Sequence, residues 1–148
     1  MANNGRSSEK APLSPISRMA MKRQFSDDIV AAIQESKGLR IRAGIGQHRF
    51  IGIWVVVVRG RVFVRSWSVK PTGWYRTFLR EPRGTIQLKD REIEVRALPI
   101  KSESLRDAID RAYLDKYNTP SALKYANDLG RTKSRDTTLE LVPVPSTD

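Results

Sequence analysis

The sequence predicts a mainly β domain with helices, an α+β fold in which antiparallel strands form a small barrel and the helices lie outside it. The first observation is a continuous apolar run, Phe50–Val58, which is typical of a strand covered on both faces. The second is that strand-like segments follow one another through short turns, which make neighbouring strands antiparallel. The third is a pair of amphipathic helical segments towards the C-terminal end, whose apolar stripes must pack against the strands.

The domain begins with a helix and a strand. Ser26 can cap the helix, and Ile29 and Ile33 fall on one of its faces. Gly38 suits the position just after a helix ends. Leu39–Ala43 then alternates apolar and basic residues, as a half-buried strand does.

The strongest strand signal lies on both sides of a tight turn at Arg59–Gly60. Phe50–Val58 precedes the turn as one strand, and Arg61–Trp67 follows it as the next. Alternation places Arg65 and Ser66 on opposite faces of the second strand. These two side chains could therefore reach one ligand only if the strand ended or bulged between them.

The remaining elements are predicted from the same periodicities and from Gly and Pro positions. They are a short helix at Trp74–Arg80, a hairpin of Thr85–Leu88 and Arg91–Ala97, helices at Ser102–Tyr117 and from Thr119 to Gly130, and a closing strand at Leu139–Val142. Residues 131–138 are interpreted as a plain connection to that closing strand.

One domain, residues 25–143, accounts for most of the 148 residues, and a chain of this length can bury a core of its own. Residues 1–24 are interpreted as a flexible basic leader, and residues 144–148 as a C-terminal tail. No apolar run approaches the about 20 residues that cross a bilayer, and the first residues lack the apolar region of a secretory signal. We therefore expect a soluble, cytoplasmic protein without a membrane partner.

The cysteine and histidine content excludes several kinds of site. There is no cysteine, which excludes disulfides, thiolate nucleophiles and cysteine-ligated metals. The single histidine, His48, is expected in a surface loop, and most zinc sites need at least two such ligands. We expect no metal site, and no catalytic residue can be named from the sequence.

The net charge of +11 attracts phosphorylated small molecules and nucleic acids alike. Two short basic groups could follow a phosphate backbone: Arg40 with Arg42, and Arg131 with Lys133 and Arg135. The basic residues are nevertheless scattered along the chain, and no recognised nucleic-acid motif is present. Nucleic acid is therefore a possible partner but not the favoured one.

A family resemblance rests on the order of a strand ending near Ser66, a loop, the pair Trp74-Tyr75, and a hairpin that begins at Gly84. This order resembles the deazaflavin-dependent nitroreductases, which belong to the FMN-binding split-barrel superfamily together with the pyridoxamine-phosphate oxidases. From Phe25 to Pro143 the chain more closely resembles an uncharacterised bacterial family of that superfamily. The segments that carry this likeness are Ile53-Trp54-Val55-Val56-Val57, Val64-Arg65-Ser66, Gly73-Trp74-Tyr75-Arg76, Asp107-Ala108-Ile109-Asp110, Ala112-Tyr113, Lys116-Tyr117 and Thr137-Thr138-Leu139-Glu140-Leu141-Val142-Pro143.

The resemblance implies a six-stranded antiparallel split β-barrel, and a homodimer that binds FMN or a deazaflavin coenzyme at the subunit interface. The positions carried over from the resemblance are Arg65, Ser66, Ser68 and Lys70 for the phosphate of the cofactor, and Trp74 and Tyr75 for its ring.

The favoured functional hypothesis is a flavin- or deazaflavin-dependent oxidoreductase. Phosphate binding needs charge-assisted donors, which Arg65 and Lys70 could supply. A flat ring needs an apolar wall, which Trp67 or Trp74 could give. Such a cofactor carries the electrons itself, so a protein base is not required. The alternative is a non-catalytic binding module for an anionic ligand or nucleic acid on the same fold.

Overall fold

The computed structural model describes residues 24–46 and 49–144, which contain five helices and seven strands. The helices are α1 (Asp27–Glu35), α2 (Trp74–Arg80), α3 (Glu103–Lys116), α4 (Pro120–Leu129) and α5 (Thr132–Arg135), and the strands are β1 (Leu39–Ala43), β2 (Ile51–Ile53), β3 (Val55–Val58), β4 (Arg61–Val64), β5 (Arg83–Leu88), β6 (Arg91–Pro99) and β7 (Leu139–Pro143). His48 and nearly all of the predicted leader and tail lie outside the described residues.

The seven strands form one antiparallel sheet in the order β2-β1-β5-β6-β7-β4-β3, which curves into a nearly closed barrel. The prediction of six strands was wrong because Phe50–Val58 is not one strand. Residues Ile51–Ile53 pair with β1 at one edge of the sheet, and Val55–Val58 pair with β4 at the other. Trp54 alone separates them, so the two edges of the sheet meet at Ile53–Val55, which we call the seam.

The barrel interior is filled by the inward-facing residues of all seven strands. Strand alternation places Ile41 opposite Ile86 and Val62 opposite Leu141, so that branched side chains meet across the ladder. The buried interior residues are Ile33, Leu39, Ile41, Ala43, Ile53, Val55, Val62, Val64, Phe78, Ile86, Leu88, Val95, Ala97, Leu139 and Leu141.

Helices α3 and α4 cover the outer face of the barrel on the β3–β4 side. Val56 and Phe63 point outward there and pack against Ile109, Tyr113 and Leu129, all of which are buried. The predicted apolar stripe of the long helix is thus confirmed. The cap predicted for α1 is also confirmed, because Ser26 accepts a hydrogen bond from the Ile29 N–H in the first turn; Ser102 caps α3 in the same way.

Two further boundaries differ from the prediction. Strand β4 ends at Val64 rather than Trp67, because Arg65 turns away from the ladder to reach partners on α3 and α4. Residues predicted to be a plain connection before β7 form the single turn of α5. Helices α2, α3 and α4 and the β5–β6 hairpin are confirmed with boundaries close to those predicted.

Within the part of the chain that the structure describes, no helix has both the length and the apolar character needed to span a membrane.

Candidate functional site

Arg65 is the first residue after β4 and is fully buried, with a residue exposure of 1%. Its Nε donates to Thr138 Oγ1 at 2.8 Å, and its Nη1 donates to Asp110 Oδ1 at 2.5 Å. Further hydrogen bonds reach the carbonyl oxygens of Leu129 at 2.9 Å and Arg106 at 3.1 Å. The guanidinium group therefore joins β7, α3 and the end of α4.

The carboxylate of Asp110 lies between two arginines, since its second oxygen accepts from Arg135. Arg135 also pairs with Glu103 at 2.7 Å and with Asp107 at 2.8 Å. Hydrogen bonds to Asp107 and Glu103 raise the pKa of Arg135, whereas burial lowers the pKa of Arg65 and its bond to Asp110 opposes that decrease. The cluster fixes α5 and α3 around the buried Arg65 side chain.

This geometry does not suit the phosphate role expected of Arg65. Its side chain is 0% exposed and each of its three guanidinium nitrogens already donates to a protein acceptor. A ligand phosphate could reach Arg65 only by displacing Asp110 and opening the contact between the barrel and α3. Arg65 therefore has a structural role.

Ser66 and Ser68 shape the start of the β4–α2 loop, which comprises residues 65–73. Ser66 is buried, and its backbone N–H donates to Thr137 Oγ1 at 2.8 Å. The Ser66 hydroxyl donates to the carbonyl oxygen of Ser68 at 2.6 Å and accepts from its N–H at 3.1 Å. The half-buried Ser68 then accepts from the N–H of Lys70 at 3.2 Å. These serines make consecutive local turns, and the Ser66 hydroxyl is used within the loop.

Lys70 lies at the exposed part of the β4–α2 loop. Two arginines of α2 hold the backbone on both sides of it: Arg76 Nε donates to the Val69 carbonyl at 3.1 Å, and Arg80 Nη1 donates to the Pro71 carbonyl at 3.1 Å. The loop therefore has a fixed backbone and presents an ammonium group to solvent.

Trp74 and Tyr75 form the first turn of α2, directly after the loop. Both are half-buried against the barrel interior, and Trp74 meets Phe78 edge-to-face with ring centroids 6.1 Å apart. The predicted site residues thus fall into three places: a buried pair (Arg65 and Ser66), an exposed loop (Ser68 and Lys70), and the start of α2.

Sequence reasoning missed that Trp67 of the β4–α2 loop belongs to a row of aromatic rings. Trp54 at the seam stacks on Tyr117 with centroids 4.0 Å apart and parallel rings, and it meets Trp67 edge-to-face at 5.3 Å. Trp67 continues to Tyr125 of α4, again edge-to-face at 6.3 Å. Trp67 and Tyr125 are exposed, so this row of rings runs from the seam to the protein surface.

The backbone at the seam is satisfied by side chains of α3. Tyr117 Oη accepts from the Val55 N–H at 3.1 Å and donates to the Val55 carbonyl at 3.2 Å. Lys116 Nζ donates to the same carbonyl at 2.9 Å and to the Ile33 carbonyl of α1 at 3.1 Å. Tyr113 donates to the Trp54 carbonyl at 3.3 Å. A barrel that is not closed by a strand ladder is therefore closed by the end of a helix.

A cavity of about 480 Å³ lies next to the seam. Its walls are the side of Trp54, the end of α3, the first turn of α4 and the C-terminal end of α1. The lining residues are Gln34, Glu35, Ser36, Lys37, Trp54, Lys116, Tyr117, Thr119 and Ala122. The sequence gives one indication of these seam contacts. Tyrosines rather than phenylalanines lie on the core-facing stripe of α3, and a buried tyrosine hydroxyl needs a hydrogen-bond partner inside the protein.

Among residues 24–46 and 49–144, no group of three His, Asp or Glu side chains is arranged to hold a metal ion.

Residues 29–141 match the family described as an uncharacterized protein conserved in bacteria, DUF2255. The chain belongs to this family. The uncharacterised bacterial family that the sequence resembles is thereby confirmed. A comparison with curated proteins gave no match.

Three solved structures are similar to this chain at low sequence identity. HutZ, described as the heme storage protein from Vibrio cholerae, has a TM-score of 0.54 at 14% identity, covering 84% of this chain and 92% of that chain. A Listeria innocua protein, described as a candidate pyridoxamine 5′-phosphate oxidase, has a TM-score of 0.53 at 14% identity, covering 82% and 93%. The conserved hypothetical protein Rv2991 from Mycobacterium tuberculosis has a TM-score of 0.50 at 12% identity, covering 84% and 82%.

At such identities these structures show a shared fold and nothing more about activity. The likeness to the Listeria protein agrees with the barrel fold that the resemblance implies. The narrower link to deazaflavin-dependent nitroreductases stays a prediction.

Proposed function

We propose that this chain is a flavin- or deazaflavin-dependent oxidoreductase that binds the phosphate of its cofactor at the β4–α2 loop. The observation that carries the proposal is the construction of that loop. Its backbone is held by internal serine turns and by Arg76 and Arg80, while Lys70 is exposed. A preorganised loop with an available cation loses little entropy on binding an anion.

The residues present fit a phosphate-bearing cofactor only in part. Lys70 can donate charge-assisted hydrogen bonds to a phosphate, and the Ser68 hydroxyl can add another. Trp67, with 38% of its surface exposed, can provide an apolar wall for a flat ring, and Trp74 and Tyr75 follow the loop in α2. Arg65 and Ser66 are buried and bonded within the protein, so the proposal does not use them as phosphate ligands. When bound, such a cofactor supplies the electron-transfer chemistry, and these residues bind and orient it.

Titration decides this proposal. Wild-type protein is titrated separately with FMN and with a deazaflavin coenzyme, and the quenching of cofactor fluorescence is followed. We expect saturable binding of one of them, and reduction of the bound cofactor by a nicotinamide nucleotide or its reoxidation by a nitroaromatic compound. Absence of binding by both cofactors would overturn the proposal.

A non-catalytic binding module for an anionic ligand is the second candidate. A protein of the same fold is described as a heme storage protein, so the fold itself does not require catalysis. Saturable cofactor binding without any reduction or reoxidation would favour this candidate.

Nucleic acid is a less favoured ligand for such a binding module. In the basic run near α5, Arg135 is engaged by Glu103, Asp107 and Asp110, which leaves Arg131 and Lys133 exposed. Nucleic-acid binding would lose affinity steeply as salt concentration rises, whereas binding of a single phosphate would lose it mildly.

We also propose that the partner is a second copy of this chain, which lies on the uncovered outer face of β1, β5 and β6. This face carries charges of both signs, as in the pairs Arg42–Glu92 at 4.0 Å and Arg83–Glu94 at 3.3 Å. A two-fold interface places one patch against itself, so a patch with both signs can be complementary to its own copy.

Sedimentation velocity tests the dimer, with Arg96→Glu as the variant on this face and Lys124→Glu on α4 as the control. We expect Arg96→Glu to weaken dimerisation at least tenfold and Lys124→Glu to leave it unchanged. A wild-type protein that remains a monomer at about 100 micromolar, a concentration at which even a weak dimer is populated, would overturn the proposal.

A further inference from the structure

The cavity at the seam is a second candidate site, and no residue of the β4–α2 loop lines it. Trp54 and Lys116, the latter in the last turn of α3, both line it. A volume of about 480 Å³ accommodates a small aromatic molecule. The other charged side chains that line it are Glu35 and Lys37 at the end of α1.

The two hydrogen bonds of Lys116 Nζ define its free direction. It donates to the carbonyl oxygens of Ile33 at 3.1 Å and Val55 at 2.9 Å. A neutral amine has two N–H groups and one lone pair, so it can keep both bonds while its lone pair points away from both carbonyls. Burial lowers the pKa of Lys116 from the ordinary 10.5 to about 8, which makes the neutral amine accessible near physiological pH.

Neither carbonyl oxygen has Lys116 as its only hydrogen-bond donor. Ile33 O also accepts from the Ser36 hydroxyl at 2.9 Å, and Val55 O also accepts from Tyr117 Oη at 3.2 Å. The amine can therefore leave one or both acceptors without stranding a buried carbonyl. The hydrogen bonds of Lys116 therefore do not prevent its nitrogen from reacting with a ligand in the cavity.

We propose that Lys116 is a nucleophile that forms an imine with small aromatic aldehydes bound over Trp54 in the seam cavity. The nitrogen lone pair forms a bond to the carbonyl carbon, the carbon–oxygen π bond breaks, and a proton passes from the nitrogen to the oxygen to give a carbinolamine. A proton from solvent then joins the hydroxyl group, water leaves, and the nitrogen lone pair forms the carbon–nitrogen double bond of the protonated imine. The sequence of steps needs no oxidant or reductant, and the protonated imine keeps one N–H to donate to Ile33 or Val55.

Reductive trapping tests this proposal directly on the wild-type protein. The protein is incubated with benzaldehyde and cyanoborohydride at pH 8, and each lysine-containing peptide is quantified by mass spectrometry over time. Burial lowers the pKa of Lys116 to about 8, which makes the neutral amine available at that pH, so we expect labelling of Lys116 roughly tenfold faster than of the exposed Lys101 and Lys124. Labelling of Lys116 at or below the rate of these lysines would overturn the proposal.

Two controls distinguish labelling that depends on the cavity from the general reactivity of a lysine side chain. Lys37 lines the same cavity but is exposed, so equal labelling of Lys37 and Lys116 would also overturn the proposal. Ala122→Leu narrows the cavity without touching the amine, and we expect it to slow benzaldehyde labelling at least fivefold while leaving labelling by formaldehyde unchanged. An unchanged benzaldehyde rate in folded Ala122→Leu protein would show that the cavity does not select the aldehyde. FMN binding is measured in parallel, since Trp54 of this cavity contacts Trp67, the ring wall proposed for the flavin site.

Discussion

The phenolic oxygen of Tyr117 lies 3.1 Å from the backbone nitrogen of Val55 and 3.2 Å from its carbonyl oxygen. One side chain at the end of α3 thus satisfies both polar groups of the first residue of β3. Val55 is 0% exposed, so water cannot replace the hydroxyl without opening the seam. The long helix is for this reason part of the barrel closure and not only a cover for its outer face.

Replacing this hydroxyl should destabilise the fold. Tyr117→Phe leaves the buried Val55 N–H without its acceptor, and we expect a loss of about 1–3 kcal/mol in the free energy of unfolding. Urea denaturation measures it. Tyr125→Phe is the matched control, because Tyr125 is half exposed, and it should stay within about 0.5 kcal/mol of wild type. Equal stability of the two variants would contradict the role given to Tyr117.

Arg65 is expected to matter for stability rather than for ligand binding. Arg65→Ala leaves Asp110 facing Arg135 alone and removes donors from two backbone carbonyls, so we expect a loss of about 3–5 kcal/mol. Arg65→Lys should recover little, since an ammonium cannot reproduce the fork of donors. Chemical denaturation measures both, with the exposed Arg131→Ala as control. A stable Arg65→Ala protein that has lost FMN binding would restore Arg65 as a phosphate ligand.

Stability should depend on pH through Lys116. Its pKa is about 8 in the folded protein and has an ordinary value of 10.5. Between these values the unfolded chain binds the proton and the folded protein does not, so the Lys116 contribution to stability increases as pH rises from about 8 towards 10. Above that range Tyr113 and Tyr117 oppose it, because burial raises the pKa of both hydroxyls.

Comparison with Lys116→Met isolates this effect. We expect the stability of wild type relative to Lys116→Met to increase between pH 8 and pH 10, as measured by urea denaturation at several pH values. A difference that is constant over this interval would mean that the lysine keeps its ordinary pKa in the folded protein.

Gly84 is required by a close approach of two elements. A Cβ atom at Gly84 would lie 2.5 Å from the carbonyl oxygen of Arg42 in β1 and 2.8 Å from the Phe78 ring. Gly84→Ala should therefore cost roughly 1–3 kcal/mol, measured by thermal or urea denaturation. Gly52→Ala in β2 is the control, because a Cβ there meets nothing within 4 Å. Similar effects of the two substitutions would contradict the packing described for Gly84.

Lys70 should affect cofactor binding without affecting stability. Lys70→Ala removes one charge-assisted donor from the β4–α2 loop, so we expect the dissociation constant of FMN to rise roughly tenfold or more, corresponding to about 1.5–3 kcal/mol. Lys89→Ala, at the exposed β5–β6 turn, lowers the net charge equally and serves as control. Equal weakening by both variants would show that only overall charge matters.

Local sequence patterns predicted most of the elements but not the closure of the barrel. The β5–β6 hairpin and the helices α3 and α4 follow from periodicity and caps, which act within a few residues. The division of Phe50–Val58 at Trp54 cannot be read in this way, because nine apolar or small residues look alike whether they form one strand or two. Only pairing with β1 on one side and β4 on the other separates them.

The residues expected to form one site lie in different places in the structure. Lys70 lies in an exposed loop, and Trp74 and Tyr75 lie at the start of α2. Arg65 was expected to bind the phosphate, because an arginine beside a loop resembles a ligand residue in sequence whether it points out or in; in the structure it is buried. Its acceptors, Asp110, Leu129 and Thr138, are 45, 64 and 73 residues away, and no local pattern signals them.

The position of β7 has a consequence for synthesis of the chain. This C-terminal strand lies between β6 and β4, whereas the hairpins β3–β4 and β5–β6 form from neighbouring segments. Until residues 139–143 have left the ribosome, the sheet consists of two separate pieces, β2-β1-β5-β6 and β4-β3. The inner edges of β4 and β6 are open for that time and can pair with other nascent chains. Of the seven strands described, the last in sequence order is thus the one that makes the barrel a single sheet.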